Sequence, residues 1–231
     1  MREVVDESGR TDSLRDAQAK AARLFEEVVD RGLIRPGRSE SQISDDVRTV
    51  AAELLGVTQH WHKRIVRSGP NTLLPYAENP PDRQIGADDI VFFDFGPVFA
   101  AWEADFGRTY VLGEDPVKLR LRDDLEPVFW EGRRYFEAEP DITGGELYAF
   151  VVESAQARGW EYGGPIAGHL IGEFPHERIH GDKITLYIAP ENATRMRDLD
   201  EQGCERHWIL EIHLVDRDRQ IGGFFEQLLT I

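Results

Sequence analysis

Three acidic residues interrupt apolar runs whose composition is otherwise typical of buried β-strands. Asp94 lies in the run IVFFDFG, Glu211 in WILEIHL and Glu226 in FFEQLL. A carboxylate inside such a run carries a large desolvation penalty unless a cation or hydrogen bonds compensate it. Any fold of this chain must therefore bring compensating groups to these three positions.

A fourth acid and a histidine are candidates to join them. Asp105 follows Asp94 by eleven positions, in WEADFGRT, so a hairpin between the two would bring both carboxylates to one point. His169 lies in AGHLIG, where small neighbours allow another backbone or a ligand to approach closely. Taken singly, these residues have ordinary alternatives: Asp94 as an acceptor of hydrogen bonds at a turn, Asp105 as a solvated loop residue and His169 as a satisfied core or surface histidine.

The donor set indicates which metal ions would fit. Oxygen ligands with one imidazole suit Mn²⁺, Co²⁺, Fe²⁺ or Zn²⁺, whereas a structural zinc site would contain several cysteines. The chain has only Cys204. Four carboxylates exceed what one ion needs, so the sequence predicts two divalent ions, with Mn²⁺ the first candidate. Two ions about 3.5 to 4 Å apart would share a hydroxide and use it as the nucleophile.

Charge and cysteine content limit the partners and the location. A formal net charge of −16 argues against nucleic acid and against an anionic membrane surface, because both would be repelled. A single cysteine excludes an internal disulfide and fits a reducing compartment. The start, MREVVDESGR, lacks the apolar stretch of a signal peptide, and no later run approaches about 18 apolar residues. We therefore expect a cytoplasmic location.

Hydrophobic periodicity predicts an α+β chain. Apolar residues at three- and four-residue steps predict four helices, over 11–32 (capped by Thr11, Asp12 or Ser13), over 43–55 with a stop at Gly56, and over 116–138 and 144–158. Short apolar runs predict strands at 65–67, 90–96 and 107–112, followed by only short strands from residue 166 onward. We expect one domain over 1–231, made of a helical part, 1–60, and a metal-binding core, 61–231.

The order of these motifs resembles that of a known enzyme family. The motif series resembles that of methionine aminopeptidases, prolidases and aminopeptidases P. It runs DFG, DFGRT, GHLIG with the later pair His176-Glu177, Glu211 and FFEQLL. The segment IVRSGPN, at 65–71, is similar to the prolidase and aminopeptidase P branch in particular. The resemblance implies the pita-bread fold, in which a curved antiparallel sheet is covered by helices and two pseudo-two-fold halves enclose the metals.

The resemblance also implies roles for single residues. Asp94 would chelate one ion, Asp105 and Glu226 would bridge both, and His169 and Glu211 would complete the other.

Two further histidines follow GHLIG. His176 matches the family histidine that polarises the scissile carbonyl or stabilises the developing oxyanion, although a surface histidine beside Glu177 is the alternative. His180 is a candidate for substrate binding or a solvated loop residue.

The chain departs from the family pattern in three places. Tyr76 stands where prolidase-type relatives have a histidine in a Pro-His pair, and we assign it a catalytic role as a hydrogen-bond donor. Ile212 follows Glu211 in place of a proline, and His213 shares a strand face with Glu211, where it would reach the site or serve packing. About 60 residues precede the first motif, fewer than in relatives with a sizeable N-terminal domain.

The basic and aromatic segment HWHKR lies just before the first motif. Its position suggests that His62 lines the pocket mouth and binds a substrate carboxylate, with an exposed loop as the alternative.

Three functions remain open from the sequence. The first is hydrolysis of a short peptide or related amide from its N-terminal end, by an aminopeptidase or Xaa-Pro dipeptidase-like enzyme. The second is a metal-dependent hydrolase or lyase of a non-peptide small molecule, which Tyr76 favours. The third is a non-catalytic binding module, against which the complete set of five ligand-type residues argues. The expected partners are the small substrate and a second copy of the chain in a homodimer.

Overall fold

The computed structural model describes residues 7–175, 184–200 and 203–231. Within them, four α-helices and nine strands are formed. The helices are α1 (Glu7–Asp30), α2 (Glu40–Leu55), α3 (Pro116–Ala138) and α4 (Gly144–Ala157). The strands are β1 (Ile65–Ser68), β2 (Ile90–Phe95), β3 (Val98–Phe99), β4 (Trp102–Glu103), β5 (Phe106–Val111), β6 (Glu161–Tyr162), β7 (Leu170–Ile171), β8 (His207–Asp216) and β9 (Ile221–Leu228). The expected α+β class is confirmed.

One antiparallel sheet organises the molecule. Its strand order is β1-β2-β5-β9-β8-β6, with β7 paired to β8 off this path, and β3 and β4 form a separate two-stranded sheet. The first helix pair precedes β1, β2 and β5, and the second pair precedes β6, β8 and β9. The two halves therefore meet in the middle of the sheet, where β5 pairs with β9.

Helices cover one face of this sheet. Along β2, Val91, Phe93 and Phe95 pack into the core formed with α1 and α2. Along β8, Leu210 and Ile212 pack into a second core formed with α3 and α4. Because side chains alternate along a strand, Asp94 and Glu211 point to the opposite face. The helices thus leave the other face free for a functional site.

The helix ends follow local capping chemistry. Ser39 and Gln42 form a reciprocal capping box at the start of α2, and Gly56 ends that helix in a left-handed conformation. The predicted cap of the first helix is wrong. That helix begins at Glu7, earlier than Thr11, and the Glu7 carboxylate pairs with Arg10 at 2.6 Å within the first turn.

The prediction of only short strands after residue 166 is also wrong. β8 is ten residues long and β9 eight. The second and third residues of β9 are glycines, and glycine inside a strand pattern often marks a bulge or a bend. A Cβ on Gly223 would lie 2.6 Å from Leu121 of α3, and one on Gly222 would lie 2.5 Å from the carbonyl of Thr72. These glycines permit close packing within a continuous strand.

Candidate metal centre

The predicted acids of three strands form one row across the sheet. Asp94 of β2 is paired with Gly107 of β5, Gly107 with Glu226 of β9, and Glu226 with Glu211 of β8. Like charges directly opposite each other on neighbouring strands destabilise a sheet. The pairing of Glu211 with Glu226 therefore calls for a cation between or beside them.

Gly107 permits close packing in the middle of this row. A Cβ at this position would lie 2.6 Å from Phe224 Cδ1 and 3.0 Å from Glu226 Cβ. Contacts that short essentially never occur, so any side chain here would have to displace its neighbours. The glycine therefore lets Phe224 and Glu226 of β9 pack closely against β5 in this row.

Asp105 joins the row from the residue before β5 and contacts two histidines. Its Oδ1 atom lies 3.1 Å from His62 Nε2, and its Oδ2 atom lies 3.1 Å from His169 Nε2. His169 Nε2 also lies 3.7 Å from Glu211 Oε1 and 3.9 Å from Glu226 Oε1. The structure thus brings all five predicted metal ligands to one point.

His62 lies deeper than expected. The prediction placed it at the pocket mouth, but its side chain is only 5% exposed and its Nε2 atom lies 3.4 Å from Asp94 Oδ1. Two groups of three residues each bring their potential ligand atoms within 4.8 Å of one another. One group is His62, Asp94 and Asp105, and the other is Asp105, His169 and Glu226. The alternative of an exposed loop for this segment does not hold at His62.

Burial and mutual repulsion perturb the carboxylates. Burial raises the pKa of Asp94, Glu211 and Glu226, and the neighbouring carboxylates raise each of these pKa values further. Burial alone would also raise the pKa of Asp105, but His62 and His169 outweigh it and leave that pKa below its ordinary value.

The two histidines respond in the opposite direction. Burial would lower their pKa values, but the carboxylates raise the pKa of His62 to about 10 and that of His169 to about 9. The cluster therefore gathers positive charge to offset its acids, which is the role that divalent ions would take over.

One buried atom indicates that these residues fit a metal. Glu226 Oε2 is buried and has no hydrogen-bond partner within the described part of the chain. A buried carboxylate oxygen without a partner costs free energy, and an ion would supply the missing interaction. Four carboxylates and an imidazole are suitable donors for borderline and hard divalent ions.

A cavity of about 720 Å³ opens above the cluster. Its wall combines the cluster with apolar and aromatic side chains, chiefly Trp61, Ile65, Leu74, Phe92, Ile166, Leu186 and Phe224. Tyr76 lines the cavity with half of its surface exposed, and its ring centre lies 5.8 Å from that of His62. The volume suits a small substrate.

The remaining candidates differ in what the structure says of them. His213 lines the cavity, but its Nε2 donates to the carbonyl of Thr72 at 2.8 Å, and burial lowers its pKa to about 4. The structure therefore supports a packing role for this imidazole. His176 and His180 lie outside the described residues.

Arg67 is a cavity residue that the sequence analysis did not single out. It is 3% exposed, and its guanidinium donates to the carbonyls of Leu74 and Pro75 through Nη1 and to that of Glu78 through Nη2. The signal was available, because an arginine inside the strand segment IVRS has the same desolvation problem as the acids.

Within the described segments, no helix is both long and apolar enough to cross a membrane.

Comparison with known proteins gives both sequence and structural relatives. An Xaa-Pro dipeptidase from Pyrococcus furiosus is 26% identical over 209 residues, which cover 81% of this chain and 59% of that protein. An Xaa-Pro dipeptidase from Pyrococcus horikoshii is 26% identical over 162 residues, which cover 68% of this chain and 45% of that protein. The chain therefore spans about half the length of the curated relatives it matches.

Solved structures establish the fold. A dipeptidase from Mycobacterium ulcerans superposes with a TM-score of 0.75 at 24% identity, covering 98% of this chain and 56% of that one. A methionine aminopeptidase from Rickettsia prowazekii superposes with a TM-score of 0.70 at 16% identity, covering 98% and 99%. These neighbours confirm the pita-bread fold. The model of metallopeptidase family M24 matches residues 12–199, which is most of the chain. The chain therefore belongs to metallopeptidase family M24.

Proposed function

We propose that this chain is a dinuclear-metal hydrolase that cleaves a short peptide or a related amide from its N-terminal end. The observation that carries the proposal is the convergence of five ligand-type side chains on the floor of one cavity, around Asp105. The family membership and the Xaa-Pro dipeptidases among its relatives support peptide bonds as the target.

The two sides of Asp105 suggest how the ligands are shared. Its Oδ1 atom faces His62, beside Asp94, and its Oδ2 atom faces His169, beside Glu211. We assign Asp94 to one ion, His169 and Glu211 to the other, and Asp105 and Glu226 to both. Mn²⁺ is the first candidate, and Co²⁺, Fe²⁺ and Zn²⁺ also suit this donor set. When bound, such ions lower the pKa of water and polarise an acyl oxygen.

The chain's own residues would position the substrate above this floor. Apolar side chains form much of the cavity wall, and the half-exposed Tyr76 lines the same cavity with a phenol that can donate a hydrogen bond. We assign His176 as the donor to the developing oxyanion and His180 as a substrate contact. His62 also lines the cavity, where it would contact the substrate or a bound ion.

A non-peptide substrate is the second candidate function. The observation in its favour is the exposed phenol of Tyr76 in place of an imidazole, because cleavage of an amide needs a proton for a poor amine leaving group. A binding module without catalysis is less well supported, since it has no need of four buried acids in one place. We also propose a cytoplasmic location and a homodimer, which cell fractionation and light scattering would test.

Activity screening of the metal-loaded protein tests the proposal. Tag-free protein reconstituted with Mn²⁺ is assayed on unblocked dipeptides, Xaa-Pro peptides, amino-terminal amides and small non-peptide amides. We expect the wild type to cleave peptides that have a free amino terminus. Asp94→Asn should lose this activity while it stays folded. Asn keeps the volume of the side chain but removes its charge, and Glu153→Asn, at an exposed position of α4, is the control. Turnover of non-peptide amides alone would favour the second candidate, and normal turnover by Asp94→Asn would exclude the proposed site.

A further inference from the structure

We propose that His62 is a sixth metal ligand, which gives each of the two ions one imidazole. The inference rests on the proposed dinuclear centre and deepens it. One ion would be held by His62 with Asp94 and Asp105, and the other by His169 with Glu211, while Glu226 and Asp105 contact both.

The first support is the equivalence of the two histidines around Asp105. Nε2 of His62 lies 3.1 Å from Oδ1, and Nε2 of His169 lies 3.1 Å from Oδ2. In each histidine the Nδ1 atom lies 2.7 Å from the carbonyl of the next residue, Lys63 or Leu170. A hydrogen bond from Nδ1–H to a backbone carbonyl holds an imidazole in the tautomer that binds a metal through Nε2, and this arrangement is common among histidine ligands.

The second support is the spacing of the donor atoms. His62 Nε2 lies 3.1 Å from Asp105 Oδ1 and 3.4 Å from Asp94 Oδ1. Two ligands on one ion, each with a bond of about 2.1 Å, are separated by about 3.0 Å in octahedral and about 3.4 Å in tetrahedral geometry. The spacing around His62 is therefore that of one coordination sphere, and a small movement of the side chains would admit an ion.

The third support is a recess built for this ring. A Cβ on Gly96 would lie 2.2 Å from His62 Cδ2 and 2.4 Å from Trp61 Nε1, so only a glycine at this position admits both rings. Trp61 Nε1 donates to the carbonyl of Ala104 at 3.0 Å, and its ring centre lies 4.4 Å from His62 and 5.2 Å from His169. One fixed indole thus orients both histidines.

A nitrogen donor at the first ion has a chemical consequence. Imidazole favours borderline ions such as Zn²⁺, Co²⁺ and Fe²⁺, whereas a site of carboxylates alone also accepts Mg²⁺ and Ca²⁺. His62 would therefore narrow the choice of metal at the position held by Asp94 and Asp105. A substrate-binding histidine would leave metal selectivity unchanged, so the two roles can be separated without a substrate.

X-ray absorption of the Zn²⁺-loaded, tag-free protein is the direct test. Two imidazoles shared by two ions give an average of about one imidazole per ion, and His169 alone gives about one half. Calorimetric titration with Zn²⁺ is then compared between the wild type and His62→Phe, which keeps a ring in the recess. His213→Phe is the matched control, because this imidazole lines the same cavity but contacts the carbonyl of Thr72.

The expected result is about one imidazole per ion in the wild type. In His62→Phe we expect one of the two Zn²⁺ affinities to fall by ~100-fold or more, because loss of a ligand should exceed the 10- to 100-fold effect of losing an outer partner. His213→Phe should keep both affinities. If the wild type binds two ions with about one half imidazole per ion, then His62 is not a ligand, while the proposed dinuclear centre still stands. A wild type that binds no Zn²⁺ overturns the metal centre itself. The X-ray absorption measurement uses only the wild-type protein, so it tests the inference even if His62→Phe does not fold.

Discussion

Glu211 lies directly opposite Glu226 in the antiparallel pair of β8 and β9. Both carboxylates are in the row that begins at Asp94, and burial raises the pKa of each. In a protein that evolved for stability alone, one of these positions would be apolar, because unpaired buried acids are destabilising. The pair is understandable if a cation is part of the native state.

Metal binding should therefore stabilise the fold, and Glu226→Gln should remove that effect. A ligand at about 100 times its Kd adds ~2.7 kcal/mol, which for a chain of this size raises Tm by about 5 to 11 °C. The wild type should show this rise with Mn²⁺ or Co²⁺ in differential scanning calorimetry. The metal-free variant should be at least as stable as the metal-free wild type, since one repelling charge is gone. Glu153→Gln on α4 is the control, and an unchanged metal response in Glu226→Gln would contradict the assignment.

The sequence indicated which acids would lie together better than it indicated the strands around them, and that these residues bind metal stays a prediction. The four acids and His169 were identifiable because each is a charged or polar residue among apolar or small neighbours. Such neighbours indicate a buried position, where a charged group needs a compensating partner. The bounds of α3 agree with the prediction because helical periodicity over many residues is a strong signal. That residues 1–231 form one catalytic domain stays a prediction.

The misses have physical causes. Glycines at the start of β9 are read as breaks in a sequence, and only the tertiary contacts with α3 and Thr72 reveal them as close packing. His62 was assigned to the mouth because it lies among basic and aromatic residues. Its actual depth depends on Gly96, whose missing side chain makes room for the ring, and no local pattern could reveal that contact.

Arg67 should hold the segment that carries Tyr76. Its guanidinium donates to three carbonyls between Leu74 and Glu78, and Arg67→Ala would remove these hydrogen bonds, leaving Glu78 N–H on the carbonyl of Pro75 and Lys63 Nζ on that of Glu78. We expect a loss of stability of about 1 to 3 kcal/mol and faster amide hydrogen exchange at 73–79. Arg67→Lys is the informative control, because a single ammonium cannot reproduce the planar fork and should rescue only in part. Unchanged exchange in Arg67→Ala would show that the segment is fixed by other contacts.

His176→Ala should lower kcat by ~10²-fold or more, as expected for the loss of one preorganised oxyanion donor. Metal content should stay at the wild-type level, which elemental analysis after dialysis would measure. A variant that loses an ion instead would identify His176 as a ligand. One of the five proposed ligands would then be a candidate for the oxyanion donor.

Tyr76 should determine the class of substrate without affecting metal binding. Its ring lies beneath Lys63 Nζ at 4.5 Å, and it lines the cavity 5.8 Å from the ring of His62.

A phenol has an unperturbed pKa of ~10, so at neutral pH it donates a hydrogen bond but does not exchange protons as an imidazole does. The amine that leaves a peptide bond needs a proton, and we therefore expect weak cleavage of Xaa-Pro dipeptides by the native chain and a measurable gain in Tyr76→His. Tyr76→Phe, which keeps the ring and removes the hydroxyl, separates proton transfer from packing. If the native protein already turns over Xaa-Pro peptides at ~10 per second and Tyr76→His adds nothing, then the imidazole missing at this position is not what limits peptide hydrolysis.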